Sequence, residues 1–597
     1  MQIFFERVKG SHRSKLREID NIAHEIYPEL TEFERRLDSI FEQHYSYINA
    51  VSKVRKPNIS KYSYQNIKNI SKVFPKFVIR NLDKNMGTCV LLKSVWNKSV
   101  DFQFANTNYF DLRVISHAQT LSFVDFICAN AVLEYSKLMY KYKYLFTNIP
   151  RSVSYLKSAK YWCNIGKFVG LLKYHKGIQP NGLYKIRCVV SHCNSIIRPI
   201  SMANGILWRI LRYKTERYTN FITVLPDVTD LISDINKFNN SLKQRNININ
   251  NLKIITIDMK DMYPMTKKSK ILSGLIQAQS YADMPRDSFD FMSKAQEFIN
   301  KYSYFYVGNK VYNQPDGAII GSYDGGDICD TVYYLDELNN HSLIQALEYF
   351  ARYRDDIIIF YNDVDQILSN AYLKQNPNNN IIINLLRKIY GSDILFTINI
   401  DPLNKGIAFL DSTLTIDHAN TRIATKSYSK PDNAHEYTQE CSNIPSHTLK
   451  SVIKGQLKRY IIINDDPRHY HAMRTELYNR VKELGWTWED IRSIRDKPKY
   501  QNRMQYIEDY LNNQTNKKSD FIQNNQIIDL VPYPKTDDDT IITVKPEFEA
   551  CFDNLSLLTK RIDQARTTCP ERLRRCKHII ANKGVPKVGA LFNKNGV

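Results

Sequence analysis

The sequence predicts an α+β fold, and three observations predict it. Short β-prone runs recur at residues 253–258, 304–307, 356–361 and 394–400. Segments with helical spacing of apolar residues separate these runs. Two of the runs meet carboxylates at one end, Asp258 closing the first and Asp355-Asp356 opening the third.

The elements follow in chain order. Residues 1–73 read as a helical N-terminal extension, because Leu30, Phe33, Leu37, Ile40, Phe41 and Ile48 recur among charges near a 3.6-residue period. Residues 74–250 are mixed, with strand-like runs at 77–80 and 89–93. The clearest strands fall in 251–425, where the NPNNN loop at 376–380 is polar and belongs at the surface. Residues 426–510 are helical and basic. The last segment, 511–597, opens on an Asn/Gln/Lys-rich stretch at 512–526 that reads as a linker. It continues into a tail with a basic run at 572–577.

Composition narrows the function classes. The 597 residues carry 83 Lys+Arg against 61 Asp+Glu, a formal net charge of +22. With 43% hydrophobic residues the chain is neither disordered nor fibrous. The charge alone leaves two readings open, a solubilising surface or a phosphate-rich partner. No apolar run approaches the roughly 18 residues of a membrane span. The N-terminus acquires charge too early for a secretory signal, and cysteine usage without a disulfide framework leads to the expectation of an intracellular, reducing compartment. Ten cysteines include no C-x-x-C pair. Neither Cys188, His192 and Cys193 nor Cys569, Cys576 and His578 has the spacing of a tetrahedral zinc site, and buried free thiols are expected.

The candidate chemistry lies in the carboxylates. A β run delivering Asp258 at its end fixes that group on a rigid backbone. In the stretch Arg352-Tyr353-Arg354-Asp355-Asp356, paired acids precede the apolar run Ile-Ile-Ile-Phe360, which reads as a hairpin with the acids at its turn. Adjacent like charges repel unless solvent or a cation relieves them. Either motif alone is commonly a solvated turn or a helix cap. Together they are more specific, because the 97 residues from Asp258 to Asp355 leave room to bring the strand ends side by side. Three carboxylates at one sheet edge can hold two divalent cations for phosphoryl transfer.

These motifs resemble the catalytic region of reverse transcriptases. Tyr263 stands five positions after Asp258, and Tyr353-Arg354-Asp355-Asp356 fits a Tyr-x-Asp-Asp box. Between them lies Gln314-Pro-Asp-Gly317-Ala-Ile-Ile-Gly321-Ser322, similar to the family's Q-x-x-G-x-x-x-G-S segment. Its glycines suit a backbone lying against template and nucleotide, where Cβ atoms have no room. Lys173-Tyr-His175-Lys176 and Arg198-Pro-Ile-Ser201 resemble motifs upstream of them. Further segments resemble Penelope-like retroelement enzymes, a family related to telomerase. They are Asp83-Lys-Asn-Met-Gly87, Phe409-Leu-Asp411, Ser429-Lys-Pro431 with His435 and Ser446-His447, and the basic stretch from Lys454 to Arg459.

The resemblance implies a right-hand polymerase: fingers with their upstream segment over 74–250, palm over 251–425, helical thumb over 426–510, and a linker and basic C-terminal tail over 511–597. It implies an RNA-directed DNA polymerase in which Asp258, Asp355 and Asp356 hold two Mg²⁺ ions, or Mn²⁺. Tyr263, Lys173, Arg198, Gln314, Gly317 and Gly321 would contact the nucleotide, and Tyr263 would exclude a ribose 2′-hydroxyl. The implied partners are an RNA template, a DNA primer, dNTPs and an RNA–DNA hybrid, with no membrane. The family implies a nuclear location, and an organelle stays open. An RNA-dependent RNA polymerase and a non-catalytic nucleic-acid-binding relative are the alternatives. The chain departs from the family's pattern at Arg354, where a smaller or apolar residue is usual, and at Tyr323-Asp-Gly-Gly-Asp327, whose acids would add negative charge near the template. The paired tyrosine motifs of the GIY-YIG endonuclease that often follows this polymerase are not found.

Overall fold

The computed structural model describes residues 75–524 except 84–87, 115–116, 147–163, 174–175, 243, 246, 378, 402–404, 430–436, 438–445 and 496–497, and also 542–544 and 578–580. The extension expected at 1–73, residues 84–87, His175, Lys430, Pro431, His435 and the basic run at 572–577 lie outside the described residues.

An antiparallel pair, β1 (Phe77–Asn81) and β2 (Thr88–Leu92), leads into α1 (Lys93–Ala105), β3 (Asp111–Val114) and the long α2 (His117–Tyr142). Four short strands follow: β4 (Gly166–Phe168), β5 (Leu171–Leu172), β6 (Ile186–Arg187) and β7 (Val190–Ser191). Helix α3 (Arg198–Thr219) starts with Pro199 in its first turn, where a fixed φ and a missing N–H cost nothing. It stops at Asn220, which turns left-handed (φ 51°). Helix α4 (Val228–Ser241) is capped by Asp227, whose carboxylate accepts the Thr229 N–H at 3.0 Å.

The central sheet comes next. β8 (Leu252–Met259) is followed by the single turn α5 (Met262–Met265), then α6 (Lys268–Ala278) and α7 (Arg286–Tyr302). β9 (Tyr304–Val307) and β10 (Lys310–Asn313) form a hairpin and join the sheet of order β3-β10-β9-β4-β7. Helix α8 (Gly325–Asn339) precedes the hairpin of β11 (Tyr349–Tyr353) and β12 (Asp356–Asn362). After α9 (Ile381–Tyr390), β13 (Phe396–Ile400) completes an antiparallel sheet of order β11-β12-β8-β13.

The two central strands β8 and β12 are covered on both faces, which is why they read as near-continuous apolar runs rather than alternating ones. Ile255, Ile257, Met259, Ile357 and Ile359 enter one core with α3, α6, α7, α8 and α9. Leu252, Ile254, Ile358 and Phe360 enter a second core with α4 and the three-stranded sheet of β14 (Ile407–Phe409), β15 (Ser412–Asp417) and β16 (Arg422–Ser427). The last helices are α10 (Ser446–Ile463), α11 (Pro467–Glu483), α12 (Trp488–Arg495) and α13 (Arg503–Asn524). Leu457, Ile461, Leu477, Val481 and Ile491 of α10–α12 form a third core. The β1/β2 region has its own aromatic core of Trp96, Phe104, Phe110, Phe305 and Tyr312.

Two expectations change. The stretch at 512–526 is no linker, because α13 runs through most of it. Tertiary contacts override the poor helix propensity of its asparagines. Ile507 is buried in the second core, the Tyr510 hydroxyl lies 3.2 Å from Asp230, Lys518 reaches Glu216 at 3.0 Å, and Phe521 packs on Tyr213. The loop at 376–380 is not wholly at the surface either. Asn380 is buried and caps α9 by accepting the Ile383 N–H at 2.9 Å. No described helix is long and apolar enough to cross a membrane. Ile507→Ala is expected to cost about 2–4 kcal/mol in denaturant unfolding. A loss below about 0.5 kcal/mol would mean that α13 is not part of the packed fold.

Candidate active site

Antiparallel register decides where the acids go. In the β8/β12 pair, Asp356 lies directly opposite Asp258, and Thr397 of β13 faces Asp258 from the other side. Both aspartates share parity with Ile254 and Ile358, so they continue the rows that feed the second core beyond the point where packing ends. Asp258 is exposed there, between the buried Ile257 and Met259. Asp355 occupies the two-residue turn before β12, and its carbonyl accepts the Met259 N–H at 2.8 Å. That bond ties the turn to the end of β8. Burial pushes the Asp355 carboxyl above its ordinary pKa, and the Asp258 charge adds to the rise.

The neighbouring positions have different fates. Asp261 is left-handed (φ 51°) and starts the turn α5, which carries Tyr263. The Tyr263 ring packs near the Cα of Gly325, and burial raises its hydroxyl pKa to about 12. Arg354 and Asp355 are among the charges that act on that hydroxyl.

The short β5/β6 hairpin supplies the basic side. Leu171 pairs with Arg187, and the Lys173 N–H donates to the Lys185 carbonyl at 2.9 Å. Burial lowers the Lys173 pKa, as do the nearby cations Arg187 and Lys185, while Asp83 and Asp261 oppose the shift. Arg187 lies 3.4 Å from the buried Asp83, and its charge lowers the Asp355 pKa. Sequence reasoning missed Arg187. Its signal was the alternation of Lys185 and Arg187 in a β-prone run paired with the Lys173 strand. Arg198 is the other basic residue that the sequence singles out. It opens α3 and donates to the Cys193 carbonyl at 2.7 Å.

The glycine-containing loop turns inward. Gly317 and Gly321 have φ of 81° and 80°, a region costly to other residues. A Cβ on Gly317 would stand 2.7 Å from the Pro264 carbonyl, and one on Gly321 would stand 1.7 Å from the Val190 carbonyl. The absent side chains therefore make room for protein backbone. Gln314 is buried and braces the same loop. Its amide nitrogen donates to the Asp316 and Ala318 carbonyls at 3.1 and 2.9 Å, and its oxygen accepts the Ile320 N–H at 3.0 Å. Gln314, Gly317 and Gly321 thus shape this loop.

The acids expected to line the template path are also turned inward. Asp324 is buried and accepts from Asn204 at 2.6 Å, and Asp327 takes a two-pronged contact from Arg209 at 3.0 and 2.8 Å. Both pairs stitch α8 to α3. Not every thiol is buried as expected: Cys128 and Cys329 are, Cys89 and Cys188 are half-buried, and Cys193 is exposed.

Asp258, Asp355 and Asp356 offer hard carboxylate oxygens, the donors Mg²⁺ or Mn²⁺ takes. The Asp258–Asp355 repulsion is of the kind a divalent cation relieves. Among the described residues, no group of three or more His, Cys, Asp or Glu is drawn together closely enough to hold an ion as it stands. The fit is one of donor type and placement.

No family model matches the chain, and no curated protein matches it. Solved structures do. The chain is similar to telomerase from Candida albicans, solved with a fragment of telomeric RNA, at 12% identity over 77% of this chain and 69% of that one, with a TM-score of 0.44. It is also similar to apo telomerase from Candida tropicalis, at 11% identity over 78% and 77% of the two chains, with a TM-score of 0.39.

Burial pushes the Asp324 pKa up to about 6. A raised carboxyl destabilises the fold above its unfolded pKa, and the penalty fades as pH falls through about 6. Asp324→Asn is therefore expected to gain stability relative to wild type at pH 8. That advantage should shrink by about 2–3 kcal/mol by pH 4. Chemical denaturation across pH measures it, and a gap independent of pH counts against a buried, charged Asp324.

Proposed function

We propose that this protein is an RNA-directed DNA polymerase of the Penelope-like type, extending a DNA primer with dNTPs on an RNA template. The observation that carries the reading is the register of β8 on β12, which sets Asp258 opposite Asp356 with Asp355 on the adjoining turn. A cationic hairpin bearing Lys173 and Arg187 lies within electrostatic reach of these acids. Acids and cations so arranged suit a triphosphate, the acids offering donors to divalent metal and the basic side chains meeting the phosphate charge.

In this reading the central sheet with β14–β16 is the palm, the elements around β1–β7 are the fingers, and α10–α12 are the thumb. Asp258, Asp355 and Asp356 would hold two Mg²⁺ ions, which activate the primer 3′-hydroxyl and neutralise the triphosphate when bound. Arg187 and Lys173 orient the triphosphate from the fingers side. Arg187 is the better placed, since its charge acts on Asp355. Tyr263, rigid against the start of α8, meets the sugar and excludes a 2′-hydroxyl. Gln314, Gly317 and Gly321 keep the loop behind Tyr263 in shape, since the Tyr263 carbonyl accepts the Ala318 N–H at 3.1 Å. The basic residues of α10 and α11 would hold the phosphates of the RNA–DNA hybrid, giving affinity that falls with salt.

Primer extension on a primed RNA template tests the reading. With Mg²⁺ and dNTPs the wild type is expected to make DNA, and Asp355→Asn to lose about 10³-fold or more in rate while binding the template normally. Ribonucleotide preference by the wild type would point to an RNA polymerase, and tight template binding with no synthesis to a non-catalytic relative. Tyr263→Val should relax discrimination against ribonucleotides by on the order of 10–100-fold, measured as the ratio of kcat/KM for dNTP and rNTP.

A further inference from the structure

Two places where the sequence leaves the family's pattern meet in space. Arg354 holds the first position of the β11/β12 turn in a left-handed conformation (φ 56°), unfavourable for a long side chain. Its guanidinium reaches α8, where Nη1 lies 2.6 Å from Asp330 Oδ2. The space it enters is left by Gly326, because a Cβ there would stand 2.7 Å from Arg354 Nη1 and 3.0 Å from Cζ. Gly326 and Asp330 are one helical turn apart on the same face of α8, so one removes bulk and the other supplies charge. The turn is also gripped through its backbone. Arg352, fully buried, donates from Nη1 to the Arg354 carbonyl at 3.2 Å and from Nη2 to the Asp330 carbonyl at 3.0 Å. Its Nε pairs with the buried Glu337, which also accepts from the Tyr390 hydroxyl at 2.7 Å and from Thr223.

We propose that Arg354, Gly326 and Asp330 form one plug-and-socket unit that positions the turn carrying Asp355. The arginine in the turn and Gly326 in the first turn of α8 are then two halves of a single adaptation. A small residue at the turn would leave the socket empty, and a larger residue at 326 would fill it. Arg354 acts here through the turn and not on substrate, so it is a positioning residue. The inference rests on the polymerase reading for its effect on rate, but the fit of plug and socket does not.

The displaced group in Gly326→Ala is the far end of a flexible side chain, so the substitution is expected to unseat the guanidinium and leave the helix intact. Gly326→Ala and Arg354→Ala should therefore have the same phenotype, a fall in kcat of about 10²-fold with KM for dNTP and hybrid affinity changed less than about twofold. The double variant should be no slower than either single one, and Arg354→Lys should recover most of the rate. Losses that multiply in the double variant, or a Gly326→Ala enzyme at full rate beside an impaired Arg354→Ala, would overturn the unit. If wild type makes no DNA, the polymerase reading fails and thermal unfolding still judges the socket. Gly326→Ala should then lower Tm by about 1–3 °C in wild type and raise it in the Arg354→Ala background, where the helix gains a better former and loses no ion pair. Equal shifts in the two backgrounds would sink it.

Discussion

The register of β12 against β8 is the constraint on which the candidate site depends. Side chains alternate faces along a strand, so a slip of one residue would carry Asp356 to the opposite face and place Ile357 opposite Asp258. The same slip would exchange the residues feeding the two cores, Ile357 and Ile359 for Ile358 and Phe360. Apolar burial on both faces thus enforces the pairing of two acids that electrostatics alone would separate. The free energy that opposes their repulsion comes from residues several positions away along the same strands.

A second layer of order is polar and lies between α3, α8 and β11. Asn204, Arg209, Arg352 and Arg354 meet Asp324, Asp327, Glu337 and Asp330. Buried charges of this kind are costly to desolvate and add less net stability than their number suggests. Their contribution is geometric. Each fixes one helix or turn at a defined distance from another, which greasy contacts between similar side chains do less sharply.

Much of this was legible in the sequence. The β runs ending at Asp258 and beginning at Asp356 were visible because apolar continuity and terminal acids are local patterns. The covering helices followed from periodicity. What was not legible depended on long-range partners. Nothing near Asp324 or Asp327 in the chain indicates that Asn204 and Arg209, about 120 residues earlier, will take up their carboxylates. The glycines at 317 and 321 were legible as positions of close approach, but positive φ has one sequence signature whatever occupies the space, so their partners Pro264 and Val190 were not. Arg187 was passed over because the hairpin that aims it is only two residues deep on each side. The helix across 512–524 was hidden by side chains with weak helical preference, whose anchors lie in α3 and α4.

That closing helix has a mechanical consequence. At its start Ile507 is buried in the core on one side of the central sheet, and near its end Phe521 packs against the core on the other. Twenty-two residues of helix span about 33 Å, enough to wrap the sheet's flank. Tyr506 at the same end also touches the third core, formed by α10–α12. One rigid rod therefore touches all three hydrophobic clusters. Local opening of any one cluster must either bend the rod or pull on the others, so the layers are coupled into one cooperative unit instead of separate foldons.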